Sequence, residues 1–222
     1  MKPEFWREQW ELNHIGFHQD QVHPLLIEHW SALGVEIGRV FVPLCGKSRD
    51  MAWLRRHGHS ILGVELSPIA VTDFFMDRRL KPYIRTVTNF TLYDRRGFYM
   101  LCGDFFDLVP EFLERVKAIY DRAALIALPP SLQTRYAEHL LQILPQRPPM
   151  LLITFEYDPE EMAGPPFPVT GQRVRELFGH IYQVETLASF DALESQPGLK
   201  SRGLSWLTEK VYHLHTDSEV AG

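Results

Sequence analysis

The sequence predicts a doubly wound α/β protein with a mostly parallel β-sheet. Short β-rich runs alternate with helical patterns along most of the 222 residues. One run, Met150–Phe155 (MLLITF), is apolar throughout, as strands buried inside a parallel sheet are. Two further runs near the end, 182–187 and 204–213, predict a closing strand pair. No repeat or linker divides the chain, so we expect one domain over residues 1–222.

The first half of the chain gives the clearest elements. Residues 39–42 (RVFV) and 60–65 (SILGVE) predict two strands, with the turn PLCGKS at 43–48 and a helix over 50–56 between them. A second helix begins at Ser67-Pro68, because serine is a good N-cap and proline fits the first helical position.

The rest of the chain continues the alternation and then changes. Apolar runs at 99–102 and 118–128 predict further strands, and helical spacing predicts a helix over 132–144. Residues 156–169 are rich in proline and acid, which predicts a long ordered loop or lid. A short helix is expected around 171–178.

Composition excludes several classes of protein. The formal net charge of −5 argues against broad nucleic-acid binding, which needs a basic face. Two cysteines, Cys45 and Cys102, cannot build a disulfide framework, and their spacing matches no zinc pattern. The N-terminus lacks the apolar core of a secretory signal, and no apolar stretch could span a bilayer. We therefore expect a cytoplasmic protein without nucleic-acid or membrane partners.

The turn after the first strand is the first candidate site. Gly46 allows a ligand close to the backbone, although it could also simply complete a tight turn. The letters GKS end a phosphate-binding loop, but that motif needs glycine at position 41, which is Phe41. No G-x-G-x-x-G fingerprint lies near the turn either.

Glu65 is the second candidate. It ends the second strand, 19 positions after Gly46, where nucleotide-binding sheets hold a ribose diol with an acid. A carboxylate suits this role because its two oxygens accept from two adjacent hydroxyls. The alternative is a solvated acid or a helix-cap partner. Ribose binding without a phosphate loop indicates a nucleoside cofactor that carries no phosphate.

Two further pairs stand at strand ends. Asp104 and Phe105 could hold a purine, the acid accepting from the exocyclic amine, or they could be a turn residue and a core residue. Asp121 and Arg122 interrupt an apolar run, where charges are costly unless they pair with each other or reach a ligand.

The N-terminal segment is rich in aromatic residues. Trp6 and Trp10 share one helix face, which could dock the helix or cover a sulfonium cation. The ten histidines form no recognised ligand motif, so no metal is expected, and for His213 and His215 surface or core roles are favoured.

Taken in order, the motifs of the chain are similar to those of the thiopurine S-methyltransferases, which are class I S-adenosylmethionine-dependent enzymes. The matching blocks run from residue 5 to about 213: FWREQW (5–10), GFHQ (16–19), VFVPLCGKS (40–48), GHSILGVELS (58–67), DRAALIAL (121–128), EYDP (156–159) and GPPFPV (164–169). The combination is specific, whereas no single block would be.

The resemblance implies a Rossmann-like, seven-stranded sheet whose last strands form an antiparallel pair, with residues 1–30 as a helical cover over the cofactor cleft. It implies a set of site residues as well. The expected cofactor contacts are Trp10, Leu44, Glu65 and Arg122, with Asp104 and Phe105 beside the adenine, and the acceptor pocket is bordered by Phe17, Pro165, Pro166 and Phe167. A second arginine of the family falls on Gly198, and Arg202 is its nearest substitute.

The implied activity is methyl transfer from S-adenosyl-L-methionine to the sulfur of a small aromatic or heterocyclic thiol, or to selenium or tellurium compounds. Arg122 is the expected catalytic residue, favouring the thiolate electrostatically. A monomer acting on a small molecule is expected. Two alternatives stay open: an NAD-dependent oxidoreductase on a related sheet, and a non-catalytic nucleotide-binding module.

Overall fold

A computed structural model describes residues 3–15 and 18–216 of the chain. The chain divides into two compact units. The first comprises Met1–Glu28 and Val35–Tyr120, and the second His29–Gly34 and Asp121–Gly222.

The first unit is built around parallel strands. Its strands are β1 (Arg39–Val42), β2 (Ser60–Glu65), β3 (Tyr83–Val87), β4 (Phe90–Arg95), β5 (Phe98–Cys102) and β6 (Val116–Arg122, whose last two residues begin the second unit). The order is β3-β4-β5-β2-β1-β6. The pairs β5-β2, β2-β1 and β1-β6 are parallel, whereas β3-β4 and β4-β5 are antiparallel.

Four helices accompany these strands: α1 (Pro3–Glu11), α2 (Pro24–His29), α3 (Asp50–Arg56) and α4 (Pro68–Asp77). The predicted start of α4 is confirmed, because Ser67 Oγ accepts a hydrogen bond from the Ala70 N–H at 3.4 Å and Pro68 occupies the first turn. Since β1 and β2 are almost fully buried, their apolar runs form the centre of this unit.

The second unit contains an antiparallel ladder. Its strands β7 (Met150–Glu156), β8 (Gln183–Asp191) and β9 (Thr208–His215) lie in the order β7-β9-β8. Its helices are α5 (Pro130–Ile143), α6 (Gly171–Phe178) and α7 (Pro197–Lys200). The predicted antiparallel pairing of the last two strands is confirmed, with Glu185 opposite His213.

The expected count of seven strands is corrected to nine in the described residues. The two strands without a prediction are β3 and β4, which form a hairpin. Strand β3 has no buried residue and therefore no alternation that a sequence pattern could reveal. The apolar run 118–128 is also shorter as a strand than expected, because β6 ends at Arg122 and a 3₁₀ turn follows at Leu125–Ala127.

Among residues 3–15 and 18–216, no helix is long and apolar enough to cross a membrane.

Candidate functional site

Three parallel strands of the first unit end at one edge of the sheet. In the register, Val42 of β1 lies beside Gly63 of β2, and Glu65 lies beside Cys102 of β5. The segments that follow these strands therefore share the carboxyl edge, where doubly wound sheets bind ligands. The structure thus brings together three predicted positions: Leu44, Glu65 and Asp104.

The turn after β1 adopts a left-handed backbone at two positions. Leu44 has φ of 46° and Gly46 has φ of 50°. For Leu44 this conformation is strained, and such strain is frequent at ligand-binding sites. The Cys45 N–H donates to the Val64 carbonyl at 3.0 Å, which fixes the turn against β2.

Glu65 fastens this turn to the start of α4. Its Oε2 accepts from the Gly46 N–H at 2.9 Å and its Oε1 from the Ser67 N–H at 2.8 Å. The residue is only 6% exposed. Burial raises the pKa of Glu65, while the N–H groups of Ser67, Gly46 and Leu66 oppose that rise. A carboxylate has about four acceptor sites, so Glu65 keeps capacity to accept from a ribose hydroxyl beside these N–H groups.

Trp10 lies against the same turn. Its side chain is 5% exposed, and a Cβ placed at Gly46 would stand 3.3 Å from the indole carbon Cζ2. Glycine therefore suits position 46, because a side chain there would be strained by the positive φ and would crowd the indole. Trp6, on the same helix, is half-buried and packs edge-on against Phe5 with ring centroids 5.2 Å apart.

Asp104 and Phe105 follow β5 at this edge. Asp104 caps a short 3₁₀ turn, its Oδ1 accepting from the Phe106 N–H at 2.9 Å. Phe105 is 2% exposed, as the core interpretation expects. The Gly103 N–H donates to the Glu65 carbonyl at 2.9 Å and ties this segment to β2. The adenine role of the pair stays a prediction.

Two residues that support the edge were missed by sequence reasoning. Gly63 lies under the turn, where a Cβ would stand 2.7 Å from both Cys45 Sγ and Met100 Sδ. A glycine inside a strand pattern is the signal that could have found it. Asp50 is buried and accepts hydrogen bonds from the His23 N–H at 2.8 Å and the Tyr120 hydroxyl at 2.9 Å. Both partners are distant in sequence, so no local sequence pattern could predict these bonds.

Asp121 organises the end of β6 in the second unit. Its Oδ1 accepts from the N–H groups of Ala124 at 3.1 Å and Leu125 at 3.2 Å, and its Oδ2 from the Tyr136 hydroxyl at 2.7 Å. These bonds engage both oxygens of a fully buried carboxylate. Asp121 therefore holds the turn that follows β6, a role that the sequence did not predict.

The turn that Asp121 holds contains backbone strain directly after Arg122. Ala123 has φ of 80°, an unfavourable conformation for a residue with a Cβ. Arg122 is half-buried at the last position of β6. The surrounding bonds therefore fix the backbone from which the arginine projects.

Burial raises the pKa of Asp121 from 3.8 to about 6, against the hydrogen bonds from Tyr136, Leu125 and Ala124. The folded protein binds this proton more tightly than the unfolded chain does. We therefore expect the Asp121 contribution to the free energy of unfolding to fall as pH rises from about 4 to about 6, by on the order of 3 kcal/mol.

Urea unfolding across this pH range measures how the free energy of unfolding changes with pH. Asp121→Asn should remove the decrease that Asp121 causes. Tyr136→Phe should extend that decrease to higher pH, because it removes a hydrogen bond that lowers the pKa of Asp121. Equal slopes in the parent and in Asp121→Asn would contradict the assignment.

The proline-rich loop is held by three contacts in the second unit. The Phe167 N–H donates to the Ile126 carbonyl at 2.6 Å, the Tyr157 hydroxyl to the Pro166 carbonyl at 2.5 Å, and the Arg202 guanidinium to the Pro165 carbonyl at 2.7 Å. The expected ordered loop is confirmed in its local geometry. Phe17 lies outside the described residues, whereas Arg202 is joined directly to the predicted acceptor segment.

Comparison with known proteins decides the family. The profile described as Thiopurine S-methyltransferase (TPMT) matches residues 1–217. The chain belongs to the thiopurine S-methyltransferase family. A thiopurine S-methyltransferase of Methylococcus capsulatus is 53% identical over 99% of this chain and 100% of the relative. One of Nitrosospira multiformis is 48% identical over 97% of this chain and 99% of the relative.

Membership confirms the resemblance, the methyltransferase class and, with it, S-adenosyl-L-methionine as the cofactor. The two alternatives, a dehydrogenase and a non-catalytic module, are not supported.

Solved structures agree on the fold. A 1,6-didemethyltoxoflavin-N1-methyltransferase of Burkholderia thailandensis, solved with S-adenosylhomocysteine, is similar with a TM-score of 0.62 at 15% identity, over 96% of this chain and 87% of that one. Magnesium protoporphyrin IX methyltransferase of Synechocystis, also with S-adenosylhomocysteine, has a TM-score of 0.60 at 10% identity, over 97% and 100%. The class I methyltransferase fold is therefore confirmed.

Proposed function

We propose that this protein transfers the methyl group of S-adenosylmethionine to the sulfur of a small aromatic or heterocyclic thiol, with selenium and tellurium compounds as further acceptors. The observation that supports the acceptor class most is the family match over residues 1–217, since the relatives of M. capsulatus and N. multiformis carry the same name.

The residues at the carboxyl edge of the first unit fit the cofactor. Glu65 keeps lone pairs for the ribose hydroxyls, and the strained turn at Leu44 offers backbone groups to the amino-acid part. Asp104 and Phe105 follow β5, where the adenine is expected. The Trp10 indole against Gly46 supplies a π face for a cation.

The bound cofactor supplies an electrophilic methyl group on a sulfonium. The protein's own task is to orient the acceptor and favour its charged form, because positioning contributes strongly to transfer between two bound molecules. Arg122 places a positive charge beside the thiolate. Its backbone position is fixed by the turn that Asp121 holds. Aromatic thiols ionise readily, so no strong base is required.

The acceptor pocket is assigned to Phe17 and to Pro165, Pro166 and Phe167. Support comes from Arg202, whose guanidinium bonds the Pro165 carbonyl and so ties this segment to the chain after α7. In this proposal Arg202 acts as a positioning residue for the loop, near the place where the family's second arginine is replaced by Gly198.

Residues 1–30 form a helical cover of the cofactor in the proposed single domain. Helix α1 has nine residues, too few to be stable without tertiary contacts, and Trp10 is its buried anchor. Adding S-adenosylhomocysteine should therefore slow amide exchange in α1, whereas α5 should change little. Equal α1 protection with and without ligand would mean that the indole only packs the core.

A panel of matched acceptors tests the proposed acceptor class. Each aromatic thiol is paired with the phenol and the aniline of the same ring, together with the selenol. We expect transfer to the thiol and the selenol and at least tenfold lower kcat/KM for the oxygen and nitrogen partners. Preference for nitrogen or oxygen would overturn the acceptor class.

The same proposal describes a monomeric, cytoplasmic enzyme with a small-molecule substrate and no nucleic-acid partner. Light scattering across a wide range of protein concentration should give the mass of one 25.8 kDa chain. A concentration-dependent rise in mass would contradict the monomer.

A further inference from the structure

Three side chains capable of binding a metal meet on the last two strands. Glu185 of β8 lies directly opposite His213 of β9, and His215 lies two residues further along the same strand. Residues i and i+2 of a strand project from one face, so both imidazoles stand on the same side of β9. One ligand atom from each of the three residues lies within 4.8 Å of the other two.

The geometry of this cluster is close to that of a ligand set. His213 Nδ1 lies 3.7 Å from Glu185 Oε2, and the two imidazole centroids are 4.7 Å apart. His213 Nε2 is buried and finds no hydrogen-bond partner within the described part of the chain. Buried polar atoms are seldom unsatisfied, so this nitrogen is a candidate ligand atom.

Two features of the strands permit the small movement that coordination requires. Metal–ligand bonds of about 2.0–2.2 Å in a tetrahedral site place the ligand atoms roughly 3.3 Å apart, somewhat closer than here. The Glu185 side chain is 58% exposed and is free to rotate toward the imidazoles. The β8–β9 register shifts between Thr186 and Ala188, and such irregularities re-aim neighbouring side chains.

We propose that Glu185, His213 and His215 form a binding site for a divalent transition-metal ion of the zinc type, with water completing the coordination. Two imidazoles and one carboxylate suit Zn²⁺, Co²⁺ and Ni²⁺, whereas Mg²⁺ and Ca²⁺ prefer oxygen ligands throughout.

The ion would join the edge strand β8 to β9, independently of methyl transfer. All three ligands belong to the second unit and none is among the residues assigned to cofactor or acceptor. A metal that binds only the folded chain stabilises it by mass action, so the expected consequence is a higher melting temperature in micromolar Zn²⁺.

Titration of the metal-free, tag-free full chain tests the site. We expect one Co²⁺ per chain, with the visible absorption of a low-coordinate complex that Zn²⁺ displaces, and no binding of Mg²⁺. His213→Ala and Glu185→Gln should each weaken Co²⁺ binding about tenfold or more, since one of three protein ligands is lost. Glu185 is exposed, so its variant tests the site even where His213→Ala fails to fold.

The matched control is His180→Ala, which removes an exposed histidine elsewhere in the same unit and should leave the titration unchanged. Loss of binding in His180→Ala, unchanged binding in both ligand variants, or no Co²⁺ bound by the parent would each overturn the proposal.

Discussion

Glu65→Gln is expected to weaken binding of S-adenosylhomocysteine by about one to two decades, or roughly 1.5–3 kcal/mol. The carboxylate accepts from the N–H groups of Gly46 and Ser67, the Leu66 N–H also acts on it, and it keeps acceptor capacity for the ribose. A glutamine presents a single oxygen, and its NH₂ group faces a backbone donor. Isothermal titration calorimetry on the folded variant measures the loss.

Because Glu65 also fastens the turn, a ribose contact must be separated from general loosening. The 2′-deoxy and 3′-deoxy analogues of S-adenosylhomocysteine do this: the parent should prefer the full ribose strongly, and Glu65→Gln should lose most of that preference. Glu156→Gln is the matched control, since Glu156 also ends a strand and accepts from a helix-start N–H, that of Gly171, at 2.6 Å. Undiminished discrimination in Glu65→Gln would contradict the ribose role.

Arg122→Lys is expected to lower turnover about tenfold or more, equivalent to about 1.4 kcal/mol of transition-state stabilisation, with the fold retained. Lysine keeps the charge but lacks the planar fork that orients a bound anion. The loss should shrink for thiols that are already fully ionised, because those need less help from a cation. A plot of turnover against acceptor thiol pKa measures this dependence.

A structural role of Arg122 makes the opposite prediction. It would lower the melting temperature and reduce turnover equally for all acceptors, and that pattern would contradict the catalytic role. Arg39→Lys is the matched control, because Arg39 is the first residue of β1 and so lies at the end of the strand opposite to the carboxyl edge. It should leave the dependence on thiol pKa unchanged.

The central strands were predictable because burial makes them apolar throughout. The predicted β1 and β2 match the observed bounds, and β7 extends one residue further, to Glu156. The β3–β4 hairpin was not predictable, since its edge strand Tyr83–Val87 is solvent-facing and carries no periodic apolar signal. The end of β6 depends on the Asp121 bonds to Ala124 and Leu125, which propensity does not report.

The sequence predicted the part of the candidate site that depends on which strands are neighbours. A glycine after one strand and an acid at the end of the next must meet when the strands are parallel neighbours, and Glu65 does accept from the Gly46 N–H. Gly63 and Asp50 were missed because their partners are defined only by packing. The bond from Arg202 to the Pro165 carbonyl joins residues 37 positions apart, and no sequence pattern predicted it either.

One labelling experiment distinguishes methyl transfer to sulfur from transfer to any other atom of the acceptor. The full chain is incubated with a thiopurine and with S-adenosylmethionine carrying a ¹³C-methyl group, and the product is examined by NMR. We expect the label on sulfur, with one S-adenosylhomocysteine formed per methylated product. Label on a ring nitrogen, or S-adenosylhomocysteine formed without labelled product, would rule out the proposed transfer to sulfur.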